Sequence, residues 1–116
     1  MIILTPREAI VAGQPWSFVC REWKKSEAQE VNWWLTHFAS RDGNGGNGYC
    51  VLLNPEGPFR HPNSEEATVH VSRDVGLLCG SGYKIWAMRV GENPNNDTDR
   101  DPLAESQFVN VSCRSG

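Results

Sequence analysis

No run of apolar residues in this chain approaches the roughly 20 that carry a helix across a bilayer, so membrane insertion is not expected. The opening MIILTPREAI also lacks a basic region followed by a long apolar core, and no export signal is expected within it. Basic residues are too few to form an electrostatic footprint for nucleic acid: 11 Lys and Arg stand against 14 Asp and Glu, a formal net charge of -3. Metal and phosphate motifs are missing as well. There is no CxxC or CxxH pair of the kind that holds zinc, and the glycines of GNGGNG precede no helix that could seat a phosphate. Glu65 and Glu66 are adjacent, and neighbouring side chains diverge, so paired-carboxylate glycosidase chemistry has little support. His37, His61 and His70 fall on separate elements and none lies in a recognisable nucleophile motif, so each is read as surface or structural. These absences point to a binder rather than an enzyme, with no cofactor.

What the sequence does contain is β-branched and aromatic runs separated by Gly, Pro, Asn and Asp clusters, with no sustained helical period. Strands are expected at Ile2 to Leu4, Trp16 to Trp23, Val31 to Phe38, Tyr49 to Leu53, Ala67 to Ser72, Tyr83 to Val90 and Gln107 to Cys113. About seven strands in one domain spanning residues 1–116 suit an all-β, immunoglobulin-like or fibronectin-like sandwich. Three loops join them: Ser40 to Gly48, Asn54 to Glu66 and Gly91 to Ser106.

Cys20, Cys50, Cys79 and Cys113 lie far apart, which fits two disulfides and an oxidising, extracellular setting. Sequons at Asn96 and Asn110 agree with secretion, and Met1 then stands where a signal peptide has been removed from a mature domain or a piece of a longer chain. Alternation puts Phe18 with Cys20, and Val109 and Val111 with Cys113, on inward faces. That favours Cys20–Cys113 and leaves Cys50–Cys79, although four cysteines allow three connectivities.

The stretch VNWWLTHF raises the question of function. If Val31, Trp33 and Leu35 face the core, then Asn32, Trp34, Thr36 and Phe38 face outward. On the penultimate strand Tyr83, Ile85 and Ala87 point in, leaving Lys84, Trp86 and Met88 outside. Trp34, Phe38, Trp86 and Met88 then form an aromatic patch of the kind that marks an interface. The bland alternative is that a bulge shifts the phase or that the loop at Asn54 to Glu66 covers the patch. Asp97, Asp99 and Asp101 alternate in the loop before the last strand, a pattern that can converge on Ca²⁺. The glycine and glutamate of an EF-hand are missing, however, and Arg100 lies among the carboxylates, so a solvated acidic loop is the preferred reading and no metal is expected. Its place between the last two strands still suits a binding loop.

The strand ending in Pro6, the Gly13 before WSFVCREW, and then VNWWL, GSGYKIWAMRV and ESQFVNVS resemble the fungal secreted Ig-like domain that opens yeast cell-wall-synthesis proteins and Ser/Thr-rich GPI-anchored proteins. The resemblance makes Trp23 the tryptophan that closes the second strand. It also makes Gly82-Tyr83 the opening of the penultimate strand and Ser106-Gln107-Phe108 that of the last. Four cysteines and the acidic loop depart from that pattern, and no Ser/Thr-rich stalk follows Cys113. The function expected is recognition of a partner protein by a secreted, effector-like fungal domain, for instance to inhibit a host enzyme. Trp34, Phe38, Lys84, Trp86, Met88 and the Asp97 to Asp101 loop would make the contact. The alternative is a cell-wall protein that binds β-glucan or chitin. Oligomeric state is not legible.

Overall fold

The computed structural model describes residues 1–37, 49–96, 99 and 101–113, with Tyr49 described by its backbone alone. Phe38, Asp97 and the glycine-rich loop at Ser40 to Gly48 lie outside them. The described residues contain ten strands and no helix: β1 (Ile2–Leu4), β2 (Ile10–Val11), β3 (Trp16–Arg21), β4 (Glu30–His37), β5 (Tyr49–Leu52), β6 (Phe59–Arg60), β7 (Ala67–Val71), β8 (Gly80–Arg89), β9 (Ala104–Glu105) and β10 (Val109–Ser112). They form two sheets. The smaller has the order β1-β3-β7; the larger runs β2-β10-β8-β4-β5, with β6 paired to β4 and β9 paired to β8. One apolar core draws on both sheets, with Phe18, Cys20, Val69 and Val71 from the smaller and Val31, Trp33, Leu35, Ile85, Ala87, Val109 and Val111 from the larger. This is a β-sandwich arrangement.

The N-terminal segment serves both sheets. β1 pairs antiparallel with β3, and after Pro6 the chain crosses so that β2 runs parallel to β10. A turn then closes from the Gln14 N–H to the Val11 carbonyl, and Gly13 occupies its third position at φ 84°. A type II turn needs positive φ there, which glycine adopts without a Cβ clash.

At the other edge, two successive strands pair with β4. β5 pairs with β4 from His37 back to Trp34, and the Leu53 N–H still reaches the Trp33 carbonyl. The sequence NPEG then forces the chain out of the ladder, and β6 rejoins β4 at Val31 and Glu30. Asn54 makes the interruption tolerable. Its Oδ1 accepts the buried Trp33 N–H at 2.8 Å, and its Nδ2 donates to the Gly57 carbonyl at 2.8 Å and to Asn32 Oδ1 at 3.2 Å. Asn54→Ala leaves that Trp33 N–H without a partner in the interior, so a loss of about 1–3 kcal/mol is expected. Urea titration should show a lower midpoint with an unchanged slope. An unchanged midpoint would mean that water replaces the side chain.

A disulfide joins Cys79 to Cys113, and Cys20 and Cys50 remain thiols. The expected pairs Cys20–Cys113 and Cys50–Cys79 are therefore corrected, and the domain has one bridge rather than two. The register explains why. Val111 lies opposite Gly80 on the antiparallel strands β10 and β8, so the residues just beyond meet at the sheet end with Cα atoms 5.1 Å apart. Cys20 sits in the core, whereas Cys113 lies past the end of β10 on the surface. Cys50 is on β5, separated from β8 by β4, and two strand spacings of roughly 10 Å exceed the Cα separation a disulfide can span.

Candidate functional site

The outer face of the larger sheet carries the expected side chains in the expected phase. Trp34 lies directly opposite Trp86, Asn32 opposite Met88 and Thr36 opposite Lys84, with Leu52 and Cys50 continuing the same face on β5. The tryptophans and Met88 form their own apolar cluster, distinct from the main core. The face is nevertheless covered: Trp34 is 8% exposed, Trp86 7% and Met88 0%. The cover comes from the loop after β8, not from the one at Asn54 to Glu66. Pro94 is fully buried, and Asn95 Nδ2 reaches the Cys50 carbonyl at 3.4 Å, which lays the turn at 93–96 across the sheet. Trp86 Nε1 donates to Glu105 Oε2 at 3.1 Å, whereas Trp34 Nε1 has no acceptor among the described residues.

The acidic loop is built for its own support. Asp99 Oδ2 accepts the Asn93 N–H at 3.2 Å and Asn96 Nδ2 at 3.4 Å, so this carboxylate braces the covering turn. Asp101 is exposed. Among the described residues no three His, Cys, Asp or Glu side chains converge on a common point. The sequon residues Asn96 and Asn110 are both exposed.

What remains open on this face is a strip at the edge of the cluster. Lys84 Nζ lies 3.3 Å from Glu105 Oε1 and 4.7 Å from the centroid of the Phe108 ring, a cation–π distance. Phe108 is 68% exposed. Its orientation follows from a break in the last strand. Ala104 and Ser106 lie on the inward side of β9, and Val109 and Val111 on that of β10, so one extra residue separates the two. Without that bulge Phe108 would share the phase of Ser106 and point inward. Ser106 secures the break, its Oγ accepting the buried Ile85 N–H at 2.9 Å while its own N–H bonds the Ile85 carbonyl at 2.9 Å. A second irregularity follows between Val109 and Val111, opposite Gly82 at φ 83°.

Of the expected site residues, the structure therefore groups Lys84, Trp86, Trp34 and Met88, and places Asp99 and Asp101 on the loop beyond them. Phe38 and Asp97 are outside the described residues. Glu105 and Phe108 join the site without having been expected there. Alternation places Phe108 outward in the last strand, and that was the available signal.

The smaller sheet carries a second feature, an open groove of about 600 Å³ between the segment Thr5 to Ala9 and the outer faces of β3 and β7. Arg7, Glu8, Trp16, Arg21, Glu66 and His70 line it, and Arg21 Nε pairs with Glu66 Oε2 at 3.3 Å. Ser17 stands opposite His70 in the register, but no hydrogen bond joins them. His61 packs on Trp23 with ring centroids 4.7 Å apart, and its two ring nitrogens face the Pro62 and Trp23 carbonyls. His37 packs edge-on against Tyr83. Both are structural.

No protein-family model matches the chain, and no curated protein shows significant similarity to it. The class therefore rests on fold and surface alone: a nearly all-β, two-sheet domain with one disulfide, whose larger sheet presents a charged and aromatic strip. No described helix is long and apolar enough to cross a membrane.

Proposed function

We propose that this chain is an immunoglobulin-like, secreted, non-enzymatic domain that recognises a partner protein through Phe108, Lys84 and Glu105, with the covering loop at the rim. Three features support the immunoglobulin-like assignment. The sheet orders split the N-terminal segment between the two sheets. Trp33 is a fully buried tryptophan on the third long strand. Tyr83, near the start of the penultimate long strand, returns its hydroxyl to the Leu78 carbonyl at 2.7 Å, which is the tyrosine-corner geometry. A surface disulfide and two exposed sequon asparagines support secretion. The fungal effector reading, with a host enzyme as one kind of partner, rests on the resemblance described above.

The observation that carries the binding proposal is Phe108, an exposed ring turned outward by a bulge and held beneath a lysine ammonium. Bulges that re-aim a side chain recur at functional sites, and rigid aromatic side chains dominate binding hot spots. Burial of Trp34 and Trp86 removes the flat rings that motivated a polysaccharide platform, which favours the protein partner over β-glucan or chitin. The test starts from immobilised domain and host fluid, and any captured protein is then purified and titrated calorimetrically. Phe108→Ala should weaken that titration at least about tenfold, since truncating a hot-spot aromatic costs on the order of 2 kcal/mol, while the melting temperature stays unchanged. Equal affinity in wild type and variant would move the site elsewhere.

A further inference from the structure

Strand β7 ends the smaller sheet with one edge unpaired among the described residues. Natural sheets defend such edges with lysine, proline, bulges, short strands or a covering segment. The other edges here follow that rule. β1 has three residues and runs into Pro6, β2 has two, and the Cys50 carbonyl on β5 is met by Asn95. β7 has none of these defences. Its five residues, ATVHV, include no charge of fixed sign, no proline and no bulge, and its pairing to β3 is regular throughout. Val69 and Val71 face the core, and Thr68 and His70 face solvent.

We infer that β7 pairs antiparallel with β7 of a second copy of this chain about a two-fold axis at Val69, joining the two smaller sheets into one. A two-fold contact of this kind closes on itself and leaves no edge to propagate. The charges suit it. With Val69 on the axis, Thr68 lies opposite His70 of the second copy, so no like charges face each other. The acidic end at Glu65 and Glu66 comes alongside the end that carries Arg73 of the second copy. Arg73 has no ion pair among the described residues, whereas Glu65 and Glu66 have only exposed partners, Lys24 and Arg21. A parallel arrangement would instead set acid beside acid. The surface used is separate from the Phe108 strip, so the dimer stands independently of the partner-protein proposal.

Sedimentation velocity on the full chain across a concentration series tests this. The expected result is a species of twice the 13.0 kDa chain mass, appearing with concentration, together with slowed amide exchange along β7. Thr68→Glu/His70→Glu sets carboxylates against each other across the axis and should abolish the dimer. Thr68→Lys/His70→Glu sets lysine against glutamate and should restore it. Both positions are exposed, so at concentrations where no dimer forms all three proteins should melt alike. A wild type that stays monomeric throughout overturns the inference, as does a dimer that survives the two glutamates. Protection of β7 only on adding an extended peptide would give the edge to a foreign strand and likewise overturn it.

Discussion

Trp33→Ala is expected to lower the melting temperature by on the order of 15–20 °C, because a loss of about 3–5 kcal/mol shifts a domain of this size by that much. Trp33 is fully buried at the centre of β4, where Phe18, Trp23 and Phe59 surround it. Its ring meets Phe18 at 5.2 Å and 81°, Trp23 at 6.1 Å and 84°, and Phe59 at 5.7 Å and 71°. These edge-to-face contacts add to the area each ring buries, and they reach β3 of one sheet and β6 of the other. Truncation therefore opens a cavity between two sheets that cannot close on it without shifting their backbones. Trp34→Ala provides the contrast. That indole lies outside the sandwich, on the face crossed by the turn at 93–96, which can settle into the vacated space, so its loss should be smaller. Equal losses at the two positions would show that the covering turn is as rigid as the core.

The paired tryptophans also show how much was legible beforehand. Each points where strand alternation sends it, because the pleat has period two and β4 pairs without a break to β8. The seven longer strands were legible for the same reason, with ends displaced by a residue or a few. β2, β6 and β9 were not, since two residues cannot show an alternation. β6 and β9 exist only because a neighbouring strand offers a partner after an interruption. That is a tertiary effect, and local sequence carries no trace of it.

Burial was less legible than direction. The pattern that sends Trp34 and Trp86 outward is silent on what lies over them, and the turn at 93–96 that does so is polar except at Pro94. Asn93, Asn95, Asn96 and Asp99 bond within the loop or to β5, so a stretch that reads as solvated folds back as a cover. Alternation within the last strand sends Phe108 outward, but its place on the same face as Glu105 depended on a bulge between β9 and β10, which inserts one residue and inverts every later side chain. The disulfide had a similar origin. Alternation assigns a cysteine to a face but not to a position along the sheet, and Cys113 lies beyond the last inward residue of β10.

Ile85→Cys is expected to form a disulfide with Cys20. In the immunoglobulin-like frame the tyrosine of the corner lies two residues before the second cysteine of the inter-sheet bridge, and two residues after Tyr83 stands Ile85. Cys20, on β3, then occupies the place of the first cysteine, with its partner replaced by an aliphatic side chain. Both residues are fully buried in the same core, on strands from opposite sheets. Burial pushes the Cys20 thiol up from its ordinary value, which keeps it neutral and inert at pH 7, so it serves at present as a small core hydrophobe. Closing the loop between residues 20 and 85 should add about 4 kcal/mol by restricting the unfolded chain, less whatever the exchange of isoleucine for cysteine costs in packing. The check is non-reducing peptide mapping of Ile85→Cys together with a thermal melt in oxidising and reducing buffer. A peptide linking Cys20 to the introduced cysteine and a reductant-sensitive gain in melting temperature, beyond any that Cys79–Cys113 gives the wild type, would support the immunoglobulin-like frame. Two unreacted thiols in the folded variant would place β3 and β8 in a different mutual position and sink that frame, leaving a two-sheet sandwich of another kind.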